Sequence, residues 1–316
     1  MNIWKNGVMG VVVGDALGCP VQFESREEVA RHPVAGMRGY GTFNLPPGSW
    51  TDDSSLTLAL LESIRRRGTI DCRDIMDNFV KWLDDGAFTP YGYAYDIGFG
   101  TMRAVRDYKR LGDPERAGGR DERSNGNGSL MRILPAVLYC CDRKLPAGEA
   151  VDIVHRVGGL THAHIRAKLA CGLYYFMASA ILNGEGTLNA RLRAGLDAGF
   201  AFYAGCAEAE GELERYERLR DLEAFAALPE DVIPSSGYVV DALEGAVWSL
   251  ANTDSFEAAL LKAVNLGDDT DTVGAIAGGL AGLYYGYEAI PGDWLAALQR
   301  REWIEALCEV DPGQGN

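Results

Sequence analysis

The chain has 316 residues, 47% hydrophobic and 24% charged, the proportions of a globular protein long enough to bury a large core. A formal net charge of −15 leaves no sequence-wide basic field for phosphates, so neither general nucleic-acid binding nor membrane association is expected. The seven cysteines form no CxxC pair, Cys140 and Cys141 are adjacent, and no export signal opens the chain; reduced core cysteines and a cytoplasmic location are expected.

In chain order, residues 3–17 read as a buried helix. Its glycines at 7, 10 and 14 recur every three or four residues and would let another helix approach closely. The apolar run there is too short to span a membrane, and Pro20 bars its continuation. Residues 25–50 are loop-rich. Gly48-Ser49-Trp50-Thr51-Asp52-Asp53-Ser54-Ser55 then opens a helix expected over 53–67. One Thr or Asp suffices to cap a helix and complement its dipole; a Thr with two adjacent Asp exceeds that need.

Helices are expected next at 71–84, with Asp71 as N-cap, and at 93–110. The aromatic group Tyr91, Tyr93, Tyr95 and Phe99, interrupted by Asp96 and Gly98, could stack on a base or simply pack. The polar, glycine-rich connection 112–126 is long for a compact domain and is expected to lie over a site. It runs into Ser124-Asn125-Gly126-Asn127-Gly128-Ser129-Leu130-Met131-Arg132, ahead of a helix at 128–141. Such a start can offer backbone N–H groups to an anion such as a diphosphate. No Lys follows, so this is not a GxxxxGK[ST] loop.

Helices follow at 147–157 and 161–183, the second opened by Thr161-His162-Ala163-His164. Two histidines two residues apart cannot share a helical face, which argues against a His-pair metal site. Long amphipathic helices are expected over 187–228, where Glu208, Glu210, Glu212, Glu214 and Glu217 form a solvated acidic face. After a break at 229–234, helices are expected at 238–251, 255–265, 270–286 and 292–308, with a loose tail at 311–316. Ser235-Ser236-Gly237 precedes Tyr238, which could stack on a ligand base or pack.

The stretch Asn265-Leu266-Gly267-Asp268-Asp269-Thr270-Asp271-Thr272 is the second Thr/Asp helix start. Its three carboxylates repel one another unless something positive sits between them. Two such starts could face each other across one site. Their hard oxygens suit Mg²⁺, Mn²⁺ or Ca²⁺ rather than zinc, and two ions together could position a substrate oxygen and activate a water. With no repeat, linker or composition shift, a single all-α domain over residues 1–310 is expected.

Taken together and in this order, Gly14-Asp15-Ala16-Leu17-Gly18, Trp50-Thr51-Asp52-Asp53-Ser54, the segment from Asn125 to Arg132, Thr161-His162 and Gly267-Asp268-Asp269-Thr270-Asp271-Thr272 resemble the ADP-ribosylglycohydrolase family over nearly the whole chain. The resemblance implies an all-α fold, a compact single-domain orthogonal helical bundle with a binuclear metal cleft that holds two Mg²⁺ or Mn²⁺ ions at its base. Thr51, Asp52 and Asp53 match one set of metal ligands; Asp269, Asp271 and Thr272 match the other, with Asp268 a neighbour. Asn125, Gly126, Asn127, Gly128 and Ser129 match the ADP-ribose-binding loop, and His162 a histidine near the ribose and phosphates; Tyr238 joins the candidate substrate contacts.

The implied activity is metal-dependent hydrolysis of the glycosidic bond between ADP-ribose and an acceptor, either a protein side chain or a small-molecule conjugate. Asp52, Asp53 or Asp269 would accept the proton of the attacking water, and the aspartates would stabilise the positive charge that develops on the ribose. Arginine, serine, nucleic-acid and metabolite acceptors all present the same ADP-ribose, and the sequence does not choose among them. The chain departs from the family at Gln22, where many members carry an acidic residue tied to the metal site. The nearest carboxylate is Glu24, which would share the facing of residue 22 in an extended segment and is expected to stand in for it. The same departure motivates the alternative of a catalytically weak ADP-ribose-binding module. A helical prenyl-diphosphate enzyme would need a DDxxD motif that neither acidic cluster supplies.

Overall fold

The computed structural model describes residues 2–309, and the tail expected to be loose at 311–316 lies outside them. The helices are α1 (Ile3–Gly18), α2 (Arg26–Arg31), α3 (Asp52–Arg67), α4 (Cys72–Asp85), α5 (Phe99–Leu111), α6 (Leu134–Asp142), α7 (Ala147–Gly158) and α8 (Ile165–Asn183). They continue as α9 (Leu188–Tyr203), α10 (Leu222–Ala226), α11 (Val239–Ala251), α12 (Phe256–Val264), α13 (Thr270–Tyr285), α14 (Gly292–Ala297) and α15 (Arg301–Leu307). Strand pairing among the described residues is confined to isolated bridges, and one continuous hydrophobic cluster runs from Trp4 to Cys308. The fold is all-α.

The axis of the molecule is the α1–α13 pair, and glycines set its closeness. A Cβ on Gly10 would lie 2.0 Å from the Gly278 carbonyl oxygen, and one on Gly14 2.0 Å from that of Gly274. A Cβ on Gly18 would lie 2.3 Å from the Asp271 amide nitrogen. Side chains of any size would force the backbones apart. The contact therefore fixes the C-terminal end of α1 against the N-terminal end of α13, where the second acidic cluster sits. Helix α8 is long and apolar enough to cross a membrane, but 72% of its apolar window is buried in the protein, which is the character of a core helix.

Several boundaries follow expectation: Asp71 caps α4 by accepting from the amides of Arg73 and Asp74. Others differ, for local reasons. The helix expected from 93 begins only at Phe99, because Asp96 takes a left-handed backbone conformation (φ 51°). The helix expected from 128 begins at Leu134 behind a single 3₁₀ turn, with Pro135 in its first turn. His164 caps α8 by accepting from the Arg166 amide, which leaves Thr161 and His162 outside the helix. The stretch 187–228 holds one long helix, α9, followed by 3₁₀ turns and the short α10. The expected 292–308 helix is broken at Arg300, also left-handed (φ 50°).

Candidate active site

The two Thr/Asp clusters meet, and neither behaves as a helix cap. Thr51 and Asp269 occupy the N-cap positions of α3 and α13, yet neither side chain bonds its own helix start. The cap of α3 comes from α1. Asp15, fully buried, accepts from the amides of Thr51 (2.9 Å) and Ser54 (2.9 Å) and from the Ser54 hydroxyl (2.5 Å). Thr51 Oγ1 is thereby free to sit 3.1 Å from Asp15, 3.2 Å from Asp53 and 3.0 Å from Asp271. One hydroxyl hydrogen cannot serve three carboxylates, so acceptors face acceptors.

Asp15, Asp52, Asp53, Asp96, Asp269 and Asp271 share this region, and among the described residues no Lys, Arg or His forms an ion pair with any of them. Burial is the main force pushing the carboxyls of Asp52, Asp53 and Asp271 well above their usual range, and the neighbouring carboxylates add to it. Burial likewise lifts Asp15 to about 7 and Asp96 to about 6. Asp53 Oδ1 is buried with no hydrogen-bond partner. Hard oxygens, an unpartnered carboxylate oxygen and no compensating cation are what a divalent-ion site requires. The residues present fit such ions.

A cleft of about 260 Å³ opens above this floor, lined by Gln22, Asp52, Asp53, Asp96, Asp269 and Thr272 on the acidic side. Gly126, Asn127, Gly128 and His162 line the other side. That second wall is held by backbone. The amide of Asn127 donates to the Gly237 carbonyl, and the amide of Val239 to that of Asn125. Beneath it, fully buried Arg132 donates to Thr161 Oγ1 (2.8 Å), and Thr161 in turn lies 2.9 Å from His162 Nδ1. We assign the tautomer in which the Thr161 hydroxyl accepts from Arg132 and gives its hydrogen to Nδ1, so that Nε2–H of His162 faces the cleft. Burial and the Arg132 charge hold His162 down at about 3, so it is neutral. A Cβ on Gly100 would lie 2.8 Å from Nε2, so the glycine keeps that hydrogen accessible.

The sequence-derived candidates occupy distinct layers. Asp52, Asp53, Asp269, Thr272, Gln22, Gly126, Asn127, Gly128 and His162 line the cleft. Thr51 and Asp271 lie directly behind it, joined by their 3.0 Å contact. Asn125 and Ser129 anchor the loop from within: Asn125 donates to the Glu122 carbonyl, and Ser129 Oγ receives the Cys171 thiol. Tyr238 is not in the cleft lining; its ring faces Arg166 and its backbone bridges to Gly126. Asp268 is exposed and left-handed (φ 58°), which turns Asp269 inward.

Glu24 does not stand in for residue 22. The expectation assumed an extended segment, but Phe23 between them is left-handed (φ 69°), so residues 22 and 24 do not share a facing. Backbone bonds from Phe23 to Asp268 (2.6 Å) and from Asp268 to Glu24 (2.7 Å) lock the segment. Glu24 stays outside the cleft lining, while Gln22 lies within it, its Nε2 3.4 Å from Asp269 Oδ1. The extra carboxylate that sequence reasoning missed is Asp96, which lines the cleft and receives a hydrogen bond from Gln22. One signal could have revealed it: Tyr91, Tyr93 and Tyr95 recur every two residues, the period of an extended chain rather than of a helix.

The ADP-ribosylglycohydrolase family profile matches residues 4–314. The chain belongs to this family. An ADP-ribosylarginine hydrolase of Serratia proteamaculans is 32% identical over 305 residues, 96% of this chain and 77% of that protein. The ADP-ribosyl-[dinitrogen reductase] glycohydrolase of Rhodospirillum rubrum is 31% identical over 96% of this chain and 92% of its own length. A solved structure titled as an ADP-ribosylglycohydrolase-related protein complex superposes with a TM-score of 0.77 at 35% identity, covering 97% of this chain and 96% of that one.

Two further features belong to this glycohydrolase cleft and its surroundings. A second cavity of about 580 Å³ adjoins the first, shares Phe99, Gly100, Gly126 and His162 with it, and adds Arg103 and Arg123. Nearby, Glu122, His164 and Glu212 bring one ligand atom each within 4.8 Å of one another. Arg166 already lies 2.8 Å from Glu122 and 2.7 Å from Glu212, so that group has its cation.

Proposed function

We propose that this ADP-ribosylglycohydrolase cleaves the N-glycosidic bond between ADP-ribose and an arginine side chain of a modified protein, using two Mg²⁺ or Mn²⁺ ions. The observation that carries the reading is the polarity of the cleft: buried, unpaired carboxylates on one wall and N–H donors on the other. The ribose then sits at the acidic wall, and the diphosphate lies against the loop at Gly126–Gly128 and His162 Nε2–H. Adenosine extends into the adjoining cavity with Arg103 and Arg123. The arginine acceptor rests on the Serratia proteamaculans relative, an ADP-ribosylarginine hydrolase, and the protein substrate on the Rhodospirillum rubrum one.

Thr51, Asp52, Asp53, Asp269, Asp271 and Thr272 would hold the ions, whose chemistry is to orient the ribose hydroxyls and make a water acidic. Asp96, at the cleft edge and lifted to about 6, takes the water's proton as the oxygen attacks the anomeric carbon. The C–N bond breaks with its electron pair going to the guanidine nitrogen, which takes the proton that Asp96 received from the water. The buried carboxylates stabilise the positive charge developing on the ribose.

Incubation with an arginine-ADP-ribosylated protein and Mg²⁺ should release free ADP-ribose and restore unmodified arginine, both measured by mass spectrometry. Tight ADP-ribose binding with no release from arginine, serine or small-molecule conjugates would establish the binding-module alternative instead.

A further inference from the structure

The two ends of the acidic wall are not equivalent. At one end Thr51 Oγ1 lies within 3.2 Å of Asp53 and 3.0 Å of Asp271, and Asp53 Oδ1 has no partner. There Asp53 Oδ1 presents bare oxygen beside the Thr51 hydroxyl, while Asp271 Oδ1 takes the Thr272 amide (2.9 Å). At the other end both oxygens of Asp269 are covered by amide donors: Oδ1 by Gln22 Nε2 at 3.4 Å and Oδ2 by Asn127 Nδ2 at 2.7 Å. The Gln22 amide also hydrogen-bonds Asp96. The reverse orientation of Gln22 would set Oε1 against Asp269 Oδ1, acceptor against acceptor, so the NH₂ group faces the carboxylates. Its Oε1 is left buried without a partner on a residue only 4% exposed.

An NH₂ group cannot ligate a cation, and its hydrogens compete for the lone pairs a cation needs. We propose that Gln22 makes the two ion positions unequal, one divalent ion held tightly at Thr51, Asp53 and Asp271 and the second held weakly beside Gln22 and Asp269. The amide contributes at most one neutral oxygen, the orphan Oε1, where a carboxylate would contribute a full charge. Affinity for hard cations follows the count of charged ligands and their hydrogen bonding. The backbone offers no relief, since Thr42 Oγ1 holds the Gln22 carbonyl at 2.6 Å and Phe23 is tied to Asp268. Occupancy at the weak end therefore depends on what else enters the cleft. This inference rests on the cleft's reading as a divalent-metal centre.

The test is Mn²⁺ titration of the chelator-stripped full chain, followed by electron paramagnetic resonance. The wild type should bind one equivalent tightly, with the spectrum of an isolated ion, and a second about tenfold to a hundredfold more weakly. Gln22→Glu should bring the second equivalent close to the first and produce the spectrum of an exchange-coupled pair. Gln22→Ala, which removes the amide clamp without adding charge, should leave the two affinities unequal; melting curves of both variants check that they fold. Two equally tight ions in the wild type, or no gain in Gln22→Glu, would overturn the proposal while leaving ADP-ribose release untouched. No Mn²⁺ binding at all would overturn the metal centre and this proposal with it.

Discussion

Asp96 and His162 show how single residues acquire their roles from what lies behind them. Asp96 projects into the cleft from a left-handed turn, with the Tyr95 hydroxyl beside it donating to the Trp50 carbonyl. Asp96→Asn keeps the shape and removes the base, so turnover should fall by roughly 10²–10⁴-fold with the melting temperature retained; single-turnover kinetics would measure it. His162 is a donor because Arg132 and Thr161 fix its tautomer. His162→Ala removes one hydrogen bond to an anionic ligand, about 1.5–3 kcal/mol, and should raise KM by about tenfold or more with a smaller change in kcat. A fall in kcat alone would place His162 at the reacting atoms instead of at the phosphates.

At the scale of elements, the α1–α13 contact does more than pack. It delivers Asp15 to the start of α3 and sets Asp271 beside Thr51. Gly14→Ala would place a methyl group 2.0 Å from the Gly274 carbonyl oxygen. It should cost about 1–3 kcal/mol, measured by urea unfolding, and weaken metal binding as well, since it separates the two ligand sets. The glycine spacing in α1 and both acidic helix starts were legible in the sequence because they are local patterns with a direct physical meaning. The left-handed turn at Phe23 was not, since a bulky aromatic rarely takes that conformation, and at Asp96 only the residue type and the alternating tyrosines before it point that way. Those two turns decide which of Gln22, Glu24 and Asp96 reaches the cleft. The helix start at 99 was missed through the Asp96 turn, and the one at 134 through a 3₁₀ turn ahead of it, although Pro135 marks it. The one at 165 was missed because His164 supplies the cap.

For the whole molecule, the unpaired acidic wall is a standing cost in the absence of cations. Asp15, Asp52, Asp53, Asp96 and Asp271 are all raised above the ordinary 3.8 of an unfolded Asp. The folded state therefore binds more protons than the unfolded one over that window, and stability falls as pH rises through it. Chelator-treated protein should melt at lower temperature at about pH 8 than at about pH 5.5. Mg²⁺ or Mn²⁺ should restore the loss at the higher pH and do little at the lower. A metal-free melting temperature that rises toward pH 8 would contradict the electrostatics of the cleft.

The most direct measurement is release of ADP-ribose from an arginine-ADP-ribosylated protein, followed with and without divalent ion in the wild type and in Asp269→Asn. The account expects release that stops with a chelator, returns on adding Mg²⁺ or Mn²⁺, and is largely lost in the variant while its fold persists. Full release in metal-free buffer, or an Asp269→Asn variant as fast as the wild type, would contradict it.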